Sequence, residues 1–336
     1  MANCHNLFVD FRKELAITSS KQSGMMTSRE NLRTRIENNF KDKHPGYTPY
    51  FYIQGSYKMG TTIRTKDDEC DLDDGVYISP DPEVSCATLQ NWIYDAVNGT
   101  TDATPIRKNK CVRVEYKAKY HIDLPVYYKN DIGDKEESPH LAVRCGDYQD
   151  SDPRGVVNWF NAKKKNNPQL VQLVKYLKAW CDKVRGKMPP GLSMSILTTN
   201  NQKKNDRDDI ALRDTLKAIK SALDKDFKCI VPAEPFDDMF EGYDEDKKNS
   251  FLEYLQNFID DADKAIDEPN QFKASRLWRK HLGDRFPLGE DKDDKSLKGL
   301  SAIASTILSG AAKTSRAGEI QTSNGVGHLT HTNFGE

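Results

Sequence analysis

Gln54-Gly-Ser-Tyr-Lys58 and, a short polar stretch later, Cys70-Asp-Leu-Asp-Asp-Gly75 with Tyr77 are the segments whose spacing decides the fold. The β-rich run Tyr50-Phe-Tyr-Ile-Gln54 precedes them and follows a turn signal, HPGYTP, at 44–49. The stretch reads as strand, Gly-Ser turn, short helix and second strand. Side chains two apart on a strand share a face, so Asp71 and Asp73 sit side by side while Leu72 enters the core. Two carboxylates so close repel by up to roughly 4 kcal/mol at about 4 Å in an effective dielectric near 20, and they need a cation. Mg²⁺ suits them, because it takes carboxylate oxygens and completes its shell with water and substrate phosphate. Asp123, in His121-Ile-Asp-Leu-Pro125, offers a third carboxylate between apolar neighbours. Three such groups on neighbouring strands would hold two Mg²⁺ ions about 3.5–4 Å apart, the layout for in-line phosphoryl or nucleotidyl transfer, with Mn²⁺ as a substitute. Gly55 lets backbone N–H groups approach a triphosphate at the start of the short helix, and Ser56 adds a hydroxyl donor.

Outward from this centre, residues 1–45 carry helical spacing: Leu7, Phe8, Phe11 and Leu15, then Leu32, Ile36 and Phe40. The run CVRVEYKAKYHIDLPVYY over 111–128 alternates with period two and predicts a strand pair. After Asp152-Pro153 the pattern turns helical over 156–161, 169–184, 209–226, 248–266 and 271–282, with exposed loops expected at 200–208 and 237–249. The stretch 310–336, rich in Gly, Ser, Thr and Asn, predicts a flexible tail. Four regions follow: N-terminal helices over 1–45 bracing both lobes, a catalytic core over 46–150, a helical domain over 151–309 that closes a nucleotide cleft, and the tail.

Apolar runs such as 170–177 and 303–308 are far shorter than the roughly 20 residues that span a bilayer, and Asp10 and Glu14 interrupt the N-terminal apolar residues. The expectation is a cytoplasmic protein with no membrane contact. Seven scattered cysteines without C-x-x-C or zinc-finger spacing predict reduced, structural thiols. The 50 Lys and Arg balance 51 Asp and Glu, so no basic field marks a nucleic-acid binder. Walker A, G-x-S-x-G and H-E-x-x-H patterns are absent, which sets aside P-loop ATPases, α/β-hydrolases and zinc proteases.

Gly-Ser, short helix, acid-x-acid and a later acid resemble the DNA polymerase β-type nucleotidyltransferases. More closely, the motifs quoted above, with Lys175-Tyr-Leu-Lys-Ala-Trp180 and Trp278-Arg-Lys-His-Leu-Gly-Asp-Arg-Phe-Pro287, resemble the bacterial cGAS/DncV-like nucleotidyltransferases (CD-NTases). The resemblance covers 50 to about 287. It implies an α/β fold: a polymerase β-like core with a mixed β-sheet plus a C-terminal helical domain. It also implies an enzyme that joins NTPs, ATP and GTP among them, with loss of pyrophosphate, into a cyclic di- or trinucleotide messenger of anti-phage defence (CBASS). By the same resemblance Asp71 and Asp73 ligate both metals, and Asp123 ligates the one nearest the attacking hydroxyl. Gln54, Gly55 and Ser56 bind nucleotide, and a lysine and a serine of the second domain grip the donor triphosphate. These map to Lys178 and Ser193, with Lys175 and Ser195 as the neighbouring alternatives.

No His/Cys cluster matches the zinc thumb of the animal relative, so nucleic acid is not a required activator. A downstream effector would read the cyclic product, and a ubiquitin-transfer-like partner acting on the C-terminal Gly335-Glu336 is compatible with the tail. The rivals are a transferase adding one nucleotide to RNA, protein or a small molecule, and a catalytically inactive nucleotide-sensing scaffold.

Overall fold

The structure, a computed structural model, describes residues 1–186, 188–315, 320–321 and 326–327. The N-terminal helices α1 (His5–Leu15) and α2 (Ser19–Lys43) precede β1 (Thr48–Gln54), the five-residue α3 (Gly55–Met59) and the long β2 (Cys70–Ser79). Then come α4 (Cys86–Val97), β3 (Ile106–Arg107), β4 (Val112–Tyr116), β5 (Tyr120–Leu124), β6 (Val126–Tyr128), β7 (His140–Ala142) and β8 (Tyr148–Asp150). These strands form one mixed sheet in the order β3-β4-β5-β2-β6-β7-β8, with β1 also paired to β2.

β2 organises the sheet. Its first half runs parallel to β5, with Asp73 opposite Asp123, and its second half runs parallel to β6. The antiparallel β1 covers its other edge, setting Gln54 opposite Asp73. Pro125, between β5 and β6, has no N–H to donate, yet its carbonyl accepts from Val76 N–H at 2.9 Å and keeps the ladder continuous. Alternation along β2 sends Leu72 inward with Val76 and Ile78, where they meet Ile122 and Leu124 of β5, Leu32, Ile36 and Phe40 of α2, and Leu89 and Ile93 of α4. Asp74 also points inward and is fully buried. A buried carboxylate is tolerable only when paired, and Arg33 of α2 meets both its oxygens, with Nε to Oδ2 at 2.7 Å.

The helical lobe comprises α5 (Pro153–Lys164), α6 (Pro168–Val184), α7 (Gly191–Asn201), α8 (Asp208–Lys225), α9 (Glu245–Asp267) and α10 (Gln271–Leu282), followed by α11 (Lys292–Leu308). Leu173, Leu177 and Trp180 of α6 interlock with Phe251, Leu255 and Phe258 of α9 in its core. α1 belongs to this lobe: Phe8 lies 5.0 Å edge-on from the rings of both Tyr176 and Trp278. α2 packs instead on the sheet. Buried Asp208, at the start of α8, accepts from the Tyr176 hydroxyl at 2.7 Å, from Arg12 of α1 and from Gln169 of α6, and so ties three helices together.

α7 was not anticipated. Its Ser and Thr content and β-branched residues make a weak helical signal, and six of its residues are buried, so packing rather than periodicity forms it. In the tail, β9 (Lys313–Thr314) pairs with β10 (Ile320–Gln321) and with β11 (Val326–Gly327); residues 316–319, 322–325 and 328–336, Gly335-Glu336 among them, lie outside the described residues. All seven cysteines are free thiols. Among the described residues no helix is long and apolar enough to cross a membrane.

Candidate active site

A cleft of about 610 Å³ lies between the sheet and the helical lobe. Its floor is the outward face of β2, where Asp71 and Asp73 are half-buried, with Gln54, Gly55 and Ser56 beside them. Lys178 of α6 and Gly191 and Ser195 of α7 form the facing wall, and segments 149–153 and 234–239 close the far end.

Gly55 is required by space and by backbone. Its φ is +61°, and a Cβ there would lie 2.0 Å from Asp73 Oδ2, so the Asp73 carboxylate rests directly on its Cα. Ser56 Oγ is 2.8 Å from Thr62 Oγ1, which holds the turn after α3 closed. Gln54 lines the cleft but is only 6% exposed, and its amide is already engaged: Nε2 donates to the Tyr127 hydroxyl at 2.9 Å and Oε1 accepts from the Tyr77 hydroxyl at 3.1 Å. Tyr77 and Tyr127 stack 4.5 Å apart, so Gln54 is locked in place at the junction of β1 and α3. That arrangement suits an anchor of the Gly-Ser turn better than a direct nucleotide contact.

The parallel register puts Asp123 beside Asp73 on the same face of the sheet. The Asp123 carboxylate, however, meets Arg113 in a two-pronged ion pair, with Nε to Oδ1 and Nη2 to Oδ2 both 2.7 Å. The antiparallel pairing of β4 and β5 sets these two residues opposite one another. Accordingly, among the described residues no group of three Asp, Glu, His or Cys side chains is arranged around a common metal position. On the floor of the cleft Asp71 and Asp73 offer hard oxygen donors of the kind that suit Mg²⁺, with Asp123 next to them in the strand register but paired to Arg113.

Burial, then the charges of Asp71 and Asp123, push the Asp73 carboxyl up to about 8, against the opposing pull of Lys178 and Arg113. Asp123 is the reverse case: burial works against its charge, but the hydrogen bonds and charge of Arg113 hold it below the usual carboxylate range. Burial pulls the Lys178 ammonium down despite Asp71 and Asp73 nearby. Burial leads both shifts, so the cleft makes the charged form of a carboxyl and of an amine costly together, a setting that a divalent cation carrying a polyanion would relieve.

Lys175, one turn before Lys178, is also lowered by burial and then by Lys178 and Lys164, but it does not line the cleft. Of the two serines, Ser193 does not reach the site. It is fully buried in the helical core, its hydroxyl has no hydrogen-bond partner, and Cys229 Sγ packs on its carbonyl at 3.7 Å. Two positions further along α7 the helix turns Ser195 onto the cleft, its Oγ bonded to Gly191 O at 2.8 Å. Spacing alone does not separate the pair, since both follow Gly191 within one turn. Sequence reading also missed Arg113, which nothing but the strand register brings to Asp123, and the far wall around Asp152 and Glu234, assembled by the contact of Asp152 N–H with Glu234 O at 3.0 Å.

Residues 49–127 match the family model of the cyclic GMP-AMP synthase DncV-like nucleotidyltransferase domain. The cyclic GMP-AMP synthase of Vibrio cholerae is 24% identical, over a match covering 66% of this chain and 63% of that protein's length. Among solved structures, V. cholerae DncV in complex with nonhydrolyzable GTP superposes with a TM-score of 0.76 at 18% identity, covering 85% of this chain and 97% of the other. The same enzyme in complex with the linear intermediate 5' pppA(3',5')pG gives 0.73 at 20% identity over 85% and 97%. Escherichia coli DncV in its 3'-deoxy GTP bound form gives 0.69 at 19% over 81% and 93%. The fold is therefore the polymerase β-like nucleotidyltransferase core with a helical C-terminal region.

Proposed function

We propose, from the premise that the chain belongs through residues 49–127 to the cGAS/DncV-like nucleotidyltransferases, that it joins two or three NTPs into a cyclic oligonucleotide and releases pyrophosphate at each step. The single observation that carries this reading is the meeting of Asp71 and Asp73, in register with Asp123, with the Gly55-Ser56 turn and Lys178 in one cleft. Asp71 and Asp73 would hold Mg²⁺, whose charge would supply Lewis-acid stabilisation for the phosphates when bound. Lys178, with Ser195, grips the donor triphosphate from the helical lobe, while N–H groups of the Gly55-Ser56 turn approach it from the sheet. Asp123, kept ionised by Arg113, stands ready to take the proton of the attacking ribose hydroxyl. The cleft walls orient the acceptor and limit water, which converts a bimolecular attack into a positioned one. The messenger acts in anti-phage defence in the cytoplasm, through an effector that reads the ring.

Incubation with labelled ATP and GTP in the presence of Mg²⁺, followed by phosphatase, tests this: a resistant, circular product is expected from the native chain and not from Asp71→Ala/Asp73→Ala. Only linear or protein-bound label would favour single-nucleotide transfer instead. Resistant product from the double variant would overturn the assigned residues.

A further inference from the structure

The ion pair between Arg113 and Asp123 occupies the carboxylate that the β2–β5 register sets next to the candidate metal ligands Asp71 and Asp73. Both prongs are short, at 2.7 Å, and the two side chains are only 20% and 13% exposed, so the pair is largely withdrawn from water. Arg113 is no incidental neighbour, because the β4–β5 ladder places its Cα directly across from that of Asp123. In this state Asp123 is satisfied by a fixed cation in direct contact, whereas Asp73 feels Lys178 and Arg113 through their charge without an ion pair to either among the described residues. A second positive charge entering beside Asp123 meets the guanidinium both as a competitor for its oxygens and as a like charge.

We infer that Arg113 is a positioning residue that holds Asp123 back from the divalent cation until a triphosphate arrives, so that complete metal loading is contingent on nucleotide. The inference rests on the proposed nucleotidyltransferase reading. The polyanion supplies the negative charge that lets the cation and Arg113 share the Asp123 carboxylate; without it, the ion pair with Arg113 wins. Arg113→Met removes the competitor and keeps much of the apolar bulk of the stem. Arg113→Lys keeps the charge but cannot form the two-pronged geometry.

The test is Mn²⁺ binding followed by electron paramagnetic resonance at mildly alkaline pH, on the native chain, Arg113→Met and Arg113→Lys, each with and without a nonhydrolysable GTP analogue. The native chain is expected to bind Mn²⁺ much more tightly with the analogue than without. In Arg113→Met the nucleotide-free affinity should rise by about tenfold and the gain from nucleotide should shrink correspondingly, with Arg113→Lys intermediate. Thermal unfolding of each variant identifies any that fails to fold, in which case Arg113→Lys carries the comparison. Unchanged or weaker nucleotide-free binding in the folded variants, beside a native chain that binds Mn²⁺ with nucleotide, overturns this inference alone. A native chain that takes up no Mn²⁺ even with nucleotide overturns the proposed function along with it.

Discussion

Replacing Gly55 by alanine tests the geometry of the cleft floor at one atom. The added methyl would meet Asp73 Oδ2 at 2.0 Å and Asp73 Cγ at 2.9 Å, where ordinary contact begins near 3.4 Å, so the carboxylate must retreat by more than an ångström. A positive φ also costs a non-glycine residue roughly 1–2 kcal/mol. Gly99 supplies the control: its φ is +74° and nothing lies within 4 Å of a Cβ there, so Gly99→Ala carries the backbone cost without the collision. Gly99→Ala should lose about 1–2 kcal/mol in urea unfolding, and Gly55→Ala more than that, because it adds the collision to the same backbone cost. Only Gly55→Ala should lose turnover, by about a hundredfold, since misplacement of a reacting group by about 1 Å costs on that order. Pyrophosphate release, measured on both proteins at saturating NTP, separates the two contributions. Native turnover in a folded Gly55→Ala protein would show that the Asp73 position does not depend on this contact and would refute the reasoning.

Ser195→Ala should raise KM for the donor NTP by roughly tenfold or more, the loss of about one hydrogen bond to a charged group at about 1.5–3 kcal/mol. Ser193→Ala should leave KM unchanged and be neutral or mildly stabilising, because its buried hydroxyl is unpartnered; steady-state kinetics and urea unfolding of the pair check both. The helical lobe should lose stability in acid through Asp208: burial opposes its charge, but hydrogen bonds from Tyr176, Arg12 and Gln169 outweigh that and hold its carboxyl below the usual range. A depressed carboxyl stabilises the fold at pH above its unfolded value near 3.9 and stops doing so as pH falls through the folded value, so the loss begins below about pH 4. Tryptophan fluorescence from the buried Trp180 and Trp278 should report that acid transition, and Asp208→Asn should flatten its dependence on pH.

Much of the floor of the cleft was legible because it depends on local rules. Period-two alternation alone sets Asp71 and Asp73 on one face with Leu72 behind, and the third acid announces itself among apolar neighbours. Spacing of apolar residues likewise located α6, α8, α9 and α10 to within a few residues. What escaped depends on who lies across a strand or a lobe. Arg113 is ten residues from Asp123 in sequence, and only the antiparallel register makes the two face each other. Gln54 reads as a ligand residue within its motif, yet two tyrosines from β2 and β6 claim its amide. Ser193 and Ser195 differ by two positions, which on a helix turns one inward and the other toward the cleft. Asp74, set beside the two aspartates in sequence as one more acid, faces the opposite way and answers to Arg33.

The division of labour between α1 and α2 bears on how the nucleotide gets in and out. One helix is embedded in the core of the helical lobe and the other in that of the sheet, and only residues 16–18 join them. Three residues reach about 10 Å even when fully drawn out. Such a leash would stop the two halves gaping apart, so any opening that admits reactants in the proposed reaction would have to be a twist about this short pivot. Lengthening the leash with a few glycines would loosen that twist while leaving every residue of the cleft untouched.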